Sequence, residues 1–197
     1  MKRKTLFLNR GDGKIACDDS GGSGPLVIAS PGIGDLRQVY RHLSPLLIEA
    51  GVRFVSMDLR GLGESSIDWA DYSDVSIASD YLALVEQLNS SPAVLIGNSK
   101  TASSVVIAST EDPDKVSGII LLGPFAREVP IKWWQKALFG LMLGGPWGRS
   151  AWISYYKKNM YPGNKPDDFR EYVKILADNP ASIAPAILCL IEKANGS

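Results

Sequence analysis

Histidine is nearly missing from this sequence: His42 stands alone among 197 residues. Cysteine is almost as scarce. Cys17 and Cys189 lie far apart, which gives no disulfide framework and suits a reducing compartment. Neither charge sign is in excess, since Lys plus Arg and Asp plus Glu each total 21. A nucleic acid or an anionic membrane calls for a basic surface, so neither is expected as a partner. No apolar run reaches the length that spans a bilayer. The start, Met1-Lys2-Arg3-Lys4 and then Thr5-Leu6-Phe7-Leu8, imitates a signal peptide, but its apolar run stops at Asn9-Arg10, far short of an h-region. A cytoplasmic location is therefore expected.

What is present suffices for one domain with a substantial core: 45% of the residues are hydrophobic and 21% charged. The chain is organised around residues 93–110, AVLIGNSKTASSVVIAST. Val94-Leu95-Ile96-Gly97 is a short β-branched apolar run and reads as a buried parallel strand. After Asn98-Ser99-Lys100 the pattern turns helical, with Ala102, Val105, Val106 and Ser109 recurring on one face. A strand that becomes a helix at one Ser among small residues holds that hydroxyl out of the sheet on a strained turn. The new helix start offers unpaired N–H groups to an oxyanion. Ser99 is thus the candidate nucleophile.

Here the sequence resembles the α/β-hydrolase superfamily, whose G-x-S-x-G motif stands as Gly97-Asn98-Ser99-Lys100-Thr101. Thr101 departs from it, because a β-branched residue occupies the place of the second Gly. Ser30-Pro31-Gly32-Ile33-Gly34-Asp35 aligns with the family's H-G-x-G loop, Pro31 replacing the His. By the resemblance, the backbone N–H groups of Ile33 and Lys100 are the oxyanion donors. The competing reading of this loop is a Gly-Pro turn that starts a helix, with Asp35 as N-cap. Asp58-Leu59-Arg60-Gly61-Leu62-Gly63-Glu64-Ser65 matches the family's D-x-R-G-x-G-x-S segment, in which Asp58 and Arg60 are expected to pair in a structural role.

The remaining segments fall into the same order. Residues 6–9 and 15–18 read as a β-hairpin and 26–30 as a buried strand. Residues 38–50 read as one amphipathic helix with Val39, Leu43, Leu46, Leu47 and Ala50 inward. A strand over 52–57, a helix over 75–88 and a buried strand over 116–122 follow. From Phe125 onward strands cease. Gly144-Gly145-Pro146, Tyr161-Pro162-Gly163 and Asn179-Pro180 cut an aromatic-rich stretch into about four helices. The expected fold class is α/β: an α/β-hydrolase fold with a mostly parallel sheet flanked by helices, residues 1–124 forming the core and 125–197 a helical cap.

A serine nucleophile needs a base and an acid to orient it. By the resemblance both come from the last strands, which are expected to lie outside this sequence, a shortened chain. His42, on the helix after the loop, and Lys100 are poor substitutes. Asp35, Asp58 and Glu128 stand near strand ends and could orient a base. Residues 116–122 would then form an open, hydrophobic sheet edge for a partner protein to cover. The resemblance implies a serine hydrolase for a small hydrophobic ester or other acyl substrate, using no cofactor and no metal. A Ser at the turn argues against the Asp-nucleophile dehalogenases and epoxide hydrolases. The rival reading is a non-catalytic binding protein of the same fold. A dinucleotide-binding domain is a third, opposed by Arg37 where the fingerprint needs its third Gly.

Overall fold

The computed structural model describes residues 4–11, 13–90, 92–124, 132–161 and 163–179. Among these, six strands form one sheet in the order β1-β2-β4-β3-β5-β6. Strands β1 (Lys4–Arg10) and β2 (Gly13–Asp19) make the antiparallel hairpin, and β2 pairs antiparallel with β4 (Arg53–Met57). Strands β3 (Leu26–Ser30), β5 (Ala93–Asn98) and β6 (Val116–Leu122) run parallel with β4.

The strands alternate across the sheet as a two-residue period demands. Leu26, Ile28, Val55, Met57 and Leu95 join one buried cluster, while Val27, Ala29, Phe54 and Ile96 join the other. The first cluster is covered by α2 (Asp74–Gln87) and α3 (Thr101–Glu111), through Ile77, Tyr81, Leu84, Val85, Val105 and Ala108. The second is covered by α1 (Leu43–Glu49), which leans on it with Leu43, Leu47 and Ile48.

Two helix readings are corrected. Residues 38–50 are not one helix: a 3-10 turn at Arg37–Arg41 precedes α1. Pro45 has no N–H to close a bond onto the preceding turn, and it fits only in the first turn of a new helix. The buried face turns with it, leaving Leu46 and Ala50 exposed while Tyr40 and Ser44 are buried. On α3 the buried stripe is Thr101, Ala102, Ser104, Val105 and Ala108, with Val106 exposed.

Asp58 does not pair with Arg60. Asp58 accepts from the Arg37 side chain and, at 2.8 Å, from the Arg37 backbone N–H; Arg37 also meets Asp18 at 2.9 Å and Glu64. Burial works against the charge on Arg37, but the carboxylates outweigh it and raise its pKa. Arg60 instead forks onto Asp80 at 2.6 and 2.8 Å, and Arg10 meets the same carboxylate at 3.0 Å. Only two residues apart, Asp58 and Arg60 serve separate networks that fasten the loop after β4 to its neighbours.

Beyond residue 124 the described residues are helical: α4 (Trp133–Gly144), α5 (Gly148–Tyr155), a π turn at Tyr156–Met160 and α6 (Phe169–Asp178). Phe169, Tyr172, Val173 and Leu176 form the buried stripe of α6 at helical spacing. Glu128 and Cys189, and whatever follows Asn179, lie outside the described residues. β6 stands at the edge of the described sheet. Ile119, Ile120, Leu121 and Leu122, whose side chains alternate between the two faces, are all more than a third exposed.

Candidate active site

The chain order places a reversal between β3 and β5. From β3 it moves to β4 on one side, then crosses back over β3 to β5 on the other. Such a switch point opens a crevice at the carboxyl ends of the two strands. The loop after β3 carries Ile33 and the turn after β5 carries Ser99, and the register Ser30↔Gly97 sets the two level.

Ser99 has φ +55°, a left-handed conformation that an L side chain adopts at a cost. Its surroundings hold it there. The Ser99 N–H donates to the Leu122 carbonyl at the end of β6, at 2.8 Å, and the Ser99 carbonyl accepts from Ala102 N–H at 3.2 Å. Gly97 is required, because a Cβ there would intrude on the Thr101 carbonyl and the Ala102 Cα of α3. Thr101 is fully buried, and its hydroxyl explains why it replaces a Gly. Its Oγ1 accepts from Asn98 N–H at 2.8 Å and lies 3.2 Å from the Ser30 carbonyl, bolting the turn to β3.

The loop after β3 approaches this turn closely: a Cβ on Gly32 would sit 3.2 Å from the Ser99 Cβ. Ile33 is half-buried next to it, and Gly34 takes φ +74°. Lys100 begins α3, and its side chain leaves the turn for Asp74 on α2, whose second oxygen accepts from Ser103 Oγ at 2.8 Å. A small, open cleft is lined by Ile33, Leu59, Arg60, Leu62, Tyr72, Ile77 and Lys100, so both expected oxyanion residues border one mostly apolar hollow with the Arg60 side chain among its walls.

Among the described residues, each base or acid candidate is engaged with a partner other than Ser99. His42 is exposed, and its Nε2 lies 3.2 Å from Asp168 Oδ1 beside α6. Arg41 grips the same carboxylate at 2.5 and 2.9 Å. Hydrogen bonds from Arg41, and then from His42, hold the Asp168 carboxyl down at about 2. Asp58 is spent on Arg37. Asp35 is not a helix cap either, since the N-cap of the 3-10 turn is Leu36 and no side chain caps it. It accepts instead from the Tyr172 hydroxyl, from Tyr156 at 3.2 Å and from Leu36 N–H at 3.1 Å. Burial pushes the Asp35 carboxyl up to about 6 despite these donors.

Sequence reasoning did not find a further tie. The Trp152 indole N–H donates to the Gly34 carbonyl at 3.0 Å, and its ring covers the Gly34 Cα. The partners lie 118 residues apart, and only the aromatic richness of the stretch hinted at them. Among the described residues, no group of three or more His, Cys, Asp or Glu could hold a metal, and no helix is long and apolar enough to cross a membrane.

A mostly parallel sheet with a switch point between β3 and β5, and helices tied over the loop after β3, has the architecture of the α/β-hydrolase fold. Residues 25–147 match the alpha/beta hydrolase fold family, and the chain belongs to it. It is 33% identical over 105 residues to karrikin insensitive 2 receptor IA of Petunia hybrida, covering 51% of this chain and 38% of that protein. It is 31% identical over 107 residues to an epoxide hydrolase of Caballeronia sordidicola, covering 53% and 32%. The chain thus matches well under half the length of these curated relatives. The crystal structure of bromoperoxidase from Bacillus anthracis superposes with a TM-score of 0.79 at 24% identity, over 96% of this chain and 72% of that one, a likeness of fold.

Proposed function

We propose that this chain carries the acyl-transfer half of a serine hydrolase acting on small apolar esters. The observation that carries the reading is the φ of +55° at Ser99, a strained non-glycine residue facing the Gly32-Ile33-Gly34 loop across the switch point. Such strain persists where the surroundings over-determine it, and it clusters at reactive sites. In the proposed reaction Ser99 Oγ bonds to the ester carbonyl carbon, and the developing oxyanion accepts from the Ile33 and Lys100 N–H groups. The C–O bond to the leaving alcohol then breaks, and the Oγ proton goes to solvent or to the alcohol. Water reverses the step and frees the acid. The small, mostly apolar cleft beside Ile33 and Lys100 is the reason to start from a short acyl group.

The test uses p-nitrophenyl butyrate, whose leaving phenolate departs without general-acid help, so that removal of the Ser proton is the one transfer left. Turnover, and labelling by a fluorophosphonate, should both vanish in Ser99→Ala. Equal rates in the two chains would sink the reading. A second reading, a binding protein of the same fold, is favoured by the engagement of the sequence's single His with Asp168. It requires that Ser99 resist the phosphonate while a small apolar ester still raises the melting temperature.

A further inference from the structure

We propose that Trp152 is a positioning residue for the loop that carries Ile33, holding the Gly34 carbonyl through its indole N–H and covering the Gly34 Cα with its ring. The inference rests on the proposed function for its kinetic consequence, and on geometry alone for the contact. Ile33 stands between two glycines with different neighbours. Gly32 lies against Ser99, and Gly34 lies against Trp152. A Cβ on Gly34 would fall inside the indole, and φ +74° at that residue sets the plane of the peptide groups around it. The Gly34 carbonyl lies two peptide planes beyond the Ile33 N–H, so holding it anchors one end of this short stretch and narrows the directions open to that N–H.

The helices after residue 124 supply the rest of the clamp. Trp152 and Tyr156 lie four residues apart and thus on one helical face, with Trp152 on Gly34 and Tyr156 donating to Asp35 Oδ2. Tyr172, from α6, donates to Asp35 Oδ1, and the Arg41 guanidinium stacks 4.3 Å from the Tyr172 ring. Trp152, Tyr156 and Tyr172 are each less than a tenth exposed, so these donors have no ready water to fall back on. Of the three, Trp152 alone reaches the backbone next to Ile33. A positioned oxyanion donor acts on the transition state more than on the bound ester, so its loss should appear in kcat and leave KM largely unchanged.

The experiment compares the chain with Trp152→Phe, which keeps a ring over Gly34 and loses the N–H, after thermal unfolding confirms that both are folded. Amide hydrogen exchange is read over residues 32–36, and kcat and KM on p-nitrophenyl butyrate. The expected result is faster exchange confined to that loop, with kcat lower by about 10-fold to 100-fold at constant KM. Unchanged loop exchange in the folded variant overturns the inference, and so does faster exchange with kcat unaltered or with the loss confined to KM. Wild-type chain without Ser99-dependent turnover sinks the catalytic reading instead. Exchange at residues 32–36 then still decides whether Trp152 holds the loop.

Discussion

Ser99 hangs from Leu122: its N–H donates to the carbonyl of the last residue of β6 at 2.8 Å. The most strained residue of the crevice is therefore pinned by the strand at the edge of the described sheet. Exposed apolar edges recruit other strands. Ile120→Lys, on a side chain 46% exposed, should suppress concentration-dependent self-association while changing stability by no more than about 0.5 kcal/mol. Light scattering across a dilution series checks this, and association unchanged by the Lys would count against β6 as the sticky surface.

The strand-to-helix turn has no slack. Gly97→Ala pushes a methyl group into the backbone of Thr101 and Ala102 and should cost about 2–4 kcal/mol in urea unfolding. Thr101→Val keeps the shape but strands the Asn98 N–H, at about 1–3 kcal/mol. Thr101→Ser should recover most of that loss. If Val and Ser behave alike, packing and not the hydroxyl accounts for this residue.

Two carboxylates at the seam between loop and outer helices pull stability in opposite directions with pH. Asp35 has a folded pKa of about 6, above the ordinary 3.8, so the native state holds its proton more tightly than the unfolded chain. The stability this brings is fully present below 3.8 and is lost as pH rises through about 6. Asp168, held at about 2, contributes stability above 3.8 that is lost as pH falls towards 2. Asp35→Asn should remove the first slope, about 3 kcal/mol across that window, and leave the second. Urea melts at pH 4 and pH 7 check it; an identical difference between the two pH values in wild type and variant would refute the assignment.

Arg37 pairs with three carboxylates while almost fully buried itself. Arg37→Met leaves Asp58 buried with no guanidinium beside it and should destabilise the fold by about 3–5 kcal/mol at neutral pH. Burial already raises the Asp58 carboxyl, so acidification should restore part of the loss by protonating it. A loss independent of pH would point to packing instead of charge.

The bounds of strands β3 and β6 were legible to the residue, because apolar β-branched runs bounded by Gly, Pro and Asp admit few other readings, but β6, read as buried, has no buried residue because it stands at the edge of the described sheet. The turn at Ser99 was legible for the same reason: local punctuation encodes it. Residues 38–50 misled because the apolar spacing is helical throughout, while Pro45 breaks the hydrogen-bond ladder that spacing presumes. The partners of Asp58 and Asp35 were illegible for another reason. Nothing near Asp58 in sequence favours Arg37 over Arg60, and the Asp35–Tyr172 contact spans 137 residues. Periodicity reports which face of an element is buried and carries no information on what meets it.

The order in which the polypeptide leaves the ribosome gives the Arg37 network one more consequence. All its partners lie between residues 18 and 64, and the neighbouring strands β1, β2, β4 and β3 come from the same first third of the chain. Four adjoining strands and their buried charges can therefore associate before β5 has emerged. Ser99 then joins strands already paired, and its N–H finds the Leu122 carbonyl only once β6 has followed.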